Sequence, residues 1–339
     1  VNKKQVPVVA ITFGDCAGIG PEIAVKAVLE PKAHARCTPV FIGDRGVVDA
    51  RSRMLGVKIH VHEVETPGRY RRETGVMNLV HVPGIDLPSL ALGQNQAQCG
   101  RAMLAYVDKG LELVRAGAVD ALIGGPHSKK AVDLAGIPFQ GYPPYLALKT
   151  GAAETFLMLV AGRVRVMNVT LHVSLRQACD LVRKELVLSG LRLLNKAVRR
   201  FGVARPRIAV AGLNPHAGEE GMFGNEEQDE IIPAIAAAKA EGIEASGPYA
   251  GDALFYRCAE SNRFDAFVGM YHDQAHIPIK TLALEQGCGL LLGVPFLFAT
   301  VGHGCAMDIA GKGVASATSL VETIDLVSAL AAHDLKQPA

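Results

Sequence analysis

The chain has 339 residues, 49% of them hydrophobic and 20% charged, with 35 Lys and Arg set against 33 Asp and Glu. That length suggests two domains of about 150 residues, and the apolar content rules out a disordered chain. A formal charge of +2 argues against a nucleic-acid stripe or a polybasic membrane face.

Short β-branched runs bounded by Gly, Pro or Asp recur at Val6–Phe13, Val40–Ile42, Val119–Ile123, Val164–Thr170, Arg207–Ala211 and Ala266–Met270. Helical spacing lies between many of them. Pro21–Leu29 starts with Pro at a first-turn position. Arg101–Ala116 and Leu186–Phe201 carry Lys or Arg near their ends. Asp229–Ala240 is acidic at its start and has Lys239 near its end, as the helix dipole prefers. Ser319–Ala331 reads as the last helix. Strand–helix alternation predicts an α/β protein with a mainly parallel sheet. Gly-Tyr-Pro-Pro at 141–144 is a candidate crossover between domains, and Lys336–Ala339 is expected to fray.

The seven cysteines, at 16, 37, 99, 179, 258, 288 and 305, form no C-x-x-C pair. They suit reduced thiols in a cytoplasmic protein. No signal peptide is read in VNKKQVPVVA, and no uncharged apolar run reaches the roughly 18 residues of a membrane span.

Five stretches carry chemistry. Gly14–Glu22, GDCAGIGPE, joins a strand to a helix but lacks the P-loop and the G-x-G-x-x-G patterns, so it reads as a tight turn or an anion-binding loop. His172, His216 and His272 each follow an apolar run. Residues just past strand ends line the crevice of an open α/β sheet, so three such imidazoles could hold a catalytic metal with a position left open. Their spacing is long-range and forms no local zinc motif, so spacing alone favours ordinary polar or core histidines. Asp273 and Lys280 follow His272 and could orient a metal ligand, bind an acidic substrate or move a proton. Gly302–Gly313, GHGCAMDIAGKG, is a Gly-rich loop that lets backbone approach a nucleotide, or simply leads into the last helix.

Taken together, GDCAGIGPE, LNPHAGE (213–219), MYHDQ (270–274) and the 302–313 loop resemble the 4-hydroxythreonine-4-phosphate dehydrogenase family. The resemblance runs from about Val8 to Ala329. It implies two α/β/α domains with a central cleft, isocitrate/isopropylmalate dehydrogenase-like: residues 1–130 with 297–339, and residues 131–296. It implies NAD or NADP as cofactor and a divalent metal, with zinc expected and Mg, Mn, Co or Fe as alternatives. The metal ligands fall on His172, His216 and His272. Lys280 falls on the substrate side, Asp252 and Asp273 beside the metal, and His303, Gly304 and Asp308 on the cofactor. A homodimer whose site is completed across the subunit interface is also implied, with a small carboxylate as substrate and neither nucleic acid nor membrane as partner.

The substrate positions depart from that family. Tyr142 and Pro143 replace a His-Thr pair, Gly289 an Asn, and Phe298 the phosphate-binding Arg. Phe cannot replace the fork of donors that Arg offers a phosphate. The pattern is similar to the terephthalate cis-dihydrodiol dehydrogenase branch, also in FQGYP (139–143) and HIPIK (276–280). The expectation is therefore oxidative decarboxylation of that dihydrodiol to 3,4-dihydroxybenzoate, with Tyr142 and Phe298 facing the ring. The alternatives are the 4-hydroxythreonine-4-phosphate dehydrogenase of pyridoxal phosphate synthesis, a related sugar-acid phosphate dehydrogenase, or a binding protein that has kept the fold.

Overall fold

A computed structural model of the protein describes residues 6–64, 68–256, 262–283 and 287–336. Cys258 and the last three residues of the expected frayed end lie outside them. The chain divides into two units, Val1–Thr150 with Pro295–Ala339, and Gly151–Val294.

The first unit opens with β1 (Val8–Thr12), α1 (Gly20–Val28), α2 (Pro31–Ala35), β2 (Thr38–Gly43), α3 (Arg45–Leu55), β3 (His60–Glu63), β4 (Val76–His81), α4 (Ala97–Arg115), β5 (Ala121–Gly124), α5 (Lys129–Leu134) and α6 (Tyr142–Thr150). The local sequence explains the boundaries. Asp44 caps α3 by accepting from the Gly46 and Val47 N–H groups, and α3 ends on left-handed Gly56. Ser128 caps α5. Helix α4 buries Met103, Val107 and Leu111, one turn apart.

The sequence reading placed residues 131–150 in the second domain. The structure keeps α5 and α6 in the first unit, where Asp108 of α4 takes a hydrogen bond from Tyr145 at 2.8 Å and an ion pair from Lys149 at 2.9 Å.

The second unit holds β6 (Phe156–Ala161), β7 (Val164–Asn168), α7 (Leu175–Leu181), α8 (Lys184–Arg199), β8 (Arg207–Ala211), α9 (Ile232–Ala240), β9 (Glu244–Tyr249), α10 (Gly251–Tyr256), β10 (Ala266–Gly269), α11 (His272–Ala283) and β11 (Cys288–Leu292). Its strand order is β11-β6-β7-β10-β8-β9. Strands β7, β10, β8 and β9 are parallel, whereas β6 runs antiparallel to both neighbours. The β6–β7 hairpin turns through Gly162 at φ 55°, a conformation glycine adopts without penalty.

The chain then returns to the first unit with β12 (Leu297–Val301) and α12 (Thr318–Lys336). The strand order there is β3-β4-β2-β1-β5-β12, parallel throughout. Strands β1 and β5 are buried at every residue, as expected for a sheet covered on both faces.

Each of the six expected strand runs holds a strand. The sheet is mainly parallel as expected, and among these strands β6 is the one that runs against its neighbours. The six described cysteines are free. Among the described residues no helix is long and apolar enough to cross a membrane.

Aromatic packing closes the core beside β5. Phe298 is 0% exposed, Tyr142 is 1% exposed, and their rings meet edge-on at 5.5 Å. A Cβ on Gly124 would lie 2.7 Å from the Tyr142 ring and 2.9 Å from Phe298, so both rings fill the space that glycine leaves. The Tyr142 hydroxyl donates to the Gly125 carbonyl at 2.8 Å. Truncating Phe298 to Ala is expected to cost about 3–5 kcal/mol through the cavity left behind. Phe298→Arg should cost at least as much, because a guanidinium stays charged in this core. Urea unfolding of both variants checks this, and wild-type stability for Phe298→Arg would show that the position opens to solvent.

Candidate active site

Four parallel strands of the second unit end on the same side of its sheet, and each delivers a residue singled out in the sequence. His172 follows β7, His272 follows β10, His216 follows β8, and Asp252 follows β9. In open α/β sheets this is the edge where ligands bind.

Pairing continues past the ends of β7 and β10. The Val169 N–H donates to Gly269 at 2.9 Å, and the Thr170 N–H to Met270 at 3.1 Å. The Thr170 hydroxyl adds a bond to the same Met270 carbonyl at 2.9 Å. His172 and His272 therefore leave the sheet together, with ring centroids 5.9 Å apart. The Nδ1 of His272 bonds Asp273 at 2.6 Å, which leaves Nε2 as the nitrogen for a ligand. A carboxylate on one ring nitrogen is the usual way of fixing a metal-binding imidazole.

His216 sits on a strained turn. His216, Ala217, Gly218, Glu219 and Glu220 all have positive φ, a left-handed turn that L-residues avoid. Its Nδ1 lies 3.1 Å from Glu219, again leaving Nε2 free to face a ligand. The turn is anchored by Glu227, a buried carboxylate that sequence reading missed. Its Oε1 accepts the Leu213 and Asn214 N–H groups, both at 2.7 Å, and its Oε2 accepts from the Asn214 amide at 2.9 Å. In the sequence Glu227 is hidden in an acidic stretch that reads as a helix start. Gln274 joins two strand exits, accepting from the Met270 N–H at 2.6 Å and donating to the Gly212 carbonyl at 2.8 Å.

The donor chemistry of these histidines suits a divalent metal. Among the described residues, however, no three His, Cys, Asp or Glu side chains converge to hold one. The structure brings His172 and His272 together, and His216 does not join them in a metal-holding trio. Asp252, Asp273 and Lys280 are exposed. Asp252 and Asp273 line a cavity of about 570 Å³ between α10 and α11, with Phe255, Tyr271 and Pro278 in its wall.

The two Gly-rich stretches of the first unit are joined. The Ile19 N–H donates to the Cys305 carbonyl at 3.0 Å, and a Cβ on Gly18 would lie 2.8 Å from Cys305. Buried Glu22 accepts the Ala315 N–H and the Lys26 ammonium through one oxygen, each at 2.9 Å. Lys26 also holds the Gly313 and Ala315 carbonyls. On the loop thus braced, Gly304 faces open space, Asp308 is exposed, and the buried Nε2 of His303 has no partner. An open backbone beside an orphaned donor or acceptor fits a nucleotide.

The substrate positions are placed differently from expectation. Tyr142 and Phe298 are core residues facing each other, Gly289 is buried within β11, and Pro143 is half-buried at the start of α6. The two aromatic rings have no face left for a flat substrate.

The sequence profile of the pyridoxal phosphate biosynthetic protein PdxA matches residues 35–327. A D-threonate 4-phosphate dehydrogenase from Cupriavidus necator is 39% identical over 319 residues, covering 94% of this chain and 95% of that protein. The crystal structure of a 4-hydroxythreonine-4-phosphate dehydrogenase from Klebsiella pneumoniae matches with a TM-score of 0.87 and 34% identity, covering 98% of this chain and 99% of that one. A terephthalate 1,2-cis-dihydrodiol dehydrogenase from Burkholderia xenovorans has equal identity, covers 96% of this chain and 98% of that one, and reaches a TM-score of only 0.66.

Fold and relatives define a dehydrogenase acting on a CH–OH group. The chain belongs to the PdxA family. The dihydrodiol reading is overturned: the curated relative and the better-matching structure are phosphate-ester dehydrogenases, and the two rings on which an aromatic pocket was argued are buried.

Asp15, in the first Gly-rich stretch, is fully buried, and its Oδ1 accepts the Ala17 N–H at 2.8 Å. Loss of hydration raises its carboxyl from 3.8 to about 6, against the lowering effect of the Ala17 N–H, the Cys99 thiol and the Gly18 N–H. The folded state thus holds the proton more tightly than the unfolded chain. Its stabilising contribution is full below pH 4 and is lost as pH rises through 6, on the order of 3 kcal/mol in all. Asp15→Asn should remove that dependence, so the variant gains on wild type as pH rises from 4 to 7. Urea melts at both pH values check this, and a constant difference would refute it.

Proposed function

We propose that this protein is a metal-dependent NAD(P) dehydrogenase of a four-carbon hydroxy acid 4-phosphate, of the D-threonate or 4-hydroxythreonine type. The observation that carries the reading is the pairing of His172 and His272 at adjacent strand ends, with Asp273 aiming one ring, in a chain 39% identical to a D-threonate 4-phosphate dehydrogenase.

His172, His272 and His216 are the metal ligands in this reading. Among the described residues no such trio forms; in this reading the site is completed in a homodimer, as the family resemblance implies, with His216 acting beside the paired histidines of a second copy. When bound, the metal would supply Lewis acidity toward the substrate hydroxyl and the nicotinamide would supply a hydride acceptor. Asp273 holds the His272 ring in place. Lys280, exposed on α11, pairs with an anionic group of the substrate or returns a proton. His303, Gly304 and Asp308 receive the nucleotide on the braced loop. Oxidation of a hydroxyl β to a carboxylate gives a β-keto acid, which loses CO₂. Phe298 supplies no counter-charge, so the phosphate depends on cations elsewhere, Lys280 among them.

Steady-state NAD(P)H formation with D-threonate 4-phosphate, 4-hydroxythreonine 4-phosphate and the terephthalate dihydrodiol tests the substrate. One or both phosphate esters should turn over with kcat/KM at least ~10-fold above the dihydrodiol, the effect of one charge-assisted contact. The reverse order would sink the reading. His272→Ala and His172→Ala should each lose stoichiometric metal while keeping the wild-type circular dichroism spectrum. Full metal content in either would remove that residue from the ligand set.

A further inference from the structure

One imidazole near the paired histidines has no role in the reading above. His276 is 7% exposed, and neither of its ring nitrogens has a hydrogen-bond partner. Its ring stacks on that of His272 with centroids 3.9 Å apart and planes 25° apart. An imidazole offers a donor and an acceptor when neutral, and native structures rarely bury both unpaired unless something else binds there. Stacking alone does not explain the residue, because an apolar side chain would fill the same space without two desolvated nitrogens.

The position on α11 suggests what completes it. His272, His276 and Lys280 are four residues apart, so they lie on one helix face about 6 Å apart per step. At one end is the ring paired with His172, and at the other an exposed cation. An acid phosphate whose hydroxyl lies at His172 and His272, with an anionic end toward Lys280, passes His276 between them.

We propose that His276 is a substrate-contacting residue whose ring N–H donates to an anionic oxygen of the hydroxy acid bound at His172 and His272. This rests on the functional reading above for the class of substrate. It adds a specificity contact that the metal ligands and Lys280 do not supply. The desolvated ring is then a cost to the empty protein that the bound acid relieves.

The test compares wild type, His276→Leu and His276→Gln, each loaded with zinc. Bound metal, thermal midpoint, and KM and kcat for the two phosphate esters are measured. Calorimetric binding of D-threonate 4-phosphate and of unphosphorylated D-threonate is measured without nucleotide. His276→Leu should keep its metal and melt no lower than wild type, yet bind the ester roughly 10- to 150-fold more weakly, with KM raised more than kcat is lowered. His276→Gln, which restores an N–H, should recover part of the affinity. An equal loss for unphosphorylated D-threonate assigns the contact to the carboxylate, and a loss confined to the ester assigns it to the phosphate. Unchanged binding in His276→Leu, or loss of its metal, overturns the proposal. If His276→Leu does not fold, His276→Phe, which keeps a ring against His272 but has no N–H, takes its place, and wild-type binding and KM in that variant overturn the proposal. Wild type that binds these acids without oxidising them sinks the functional reading alone, while the variants still decide the contact. Wild type that binds none of them overturns both.

Discussion

Two hydrogen bonds from Thr170 to the Met270 carbonyl set the geometry of the candidate site. They extend the β7–β10 pairing beyond its last ladder residue, so the chain cannot splay before His172 and His272 have emerged. The histidines come from segments a hundred residues apart, and neither local sequence contains the other's position. What brings them together is backbone pairing, which is indifferent to the imidazoles themselves. Chemistry at a strand end therefore inherits the precision of the sheet without needing a rigid loop of its own.

The first unit solves a different problem. A loop made of small residues has little side chain with which to hold its own shape, so the Gly302–Gly313 stretch borrows rigidity from Glu22 and Lys26 of α1. That ion pair is shielded and tied into backbone on both sides. Its contribution is the position of a loop rather than the net energy of a salt bridge, which is small for most pairs.

Much of this was legible in the sequence where local signal and tertiary role coincide. Runs such as Ile208–Ala211 and Ala266–Gly269 are apolar, short and bounded by breakers, and they form parallel central strands. The histidines could be placed at strand ends because each directly follows such a run. Phe156–Ala161 was not recognised as an antiparallel strand, since a continuous apolar run carries no direction and its Gly162 turn is a single residue of signal. Glu227 was missed because a buried carboxylate that accepts backbone N–H groups has no local pattern to distinguish it from a solvated helix start. Phe298 and Tyr142, expected to face a substrate ring, pack as core, and position along the chain carries no signal of that burial. A substitution of Arg by Phe can report a new ligand or a site resealed as core, and only packing against Gly124 distinguishes the two.

The left-handed turn at His216–Glu220 has a consequence for how this protein can change. Four of its five residues carry a Cβ in a conformation that costs on the order of 1–2 kcal/mol each, held by the grip of Glu227. Replacing Ala217 or Glu219 with glycine would relax that strain, so a laboratory selection for heat tolerance has an easy gain there. The same replacement would free the backbone that aims His216. Selection for heat tolerance alone would thus erode this loop first, trading the aim of one imidazole for a more durable fold.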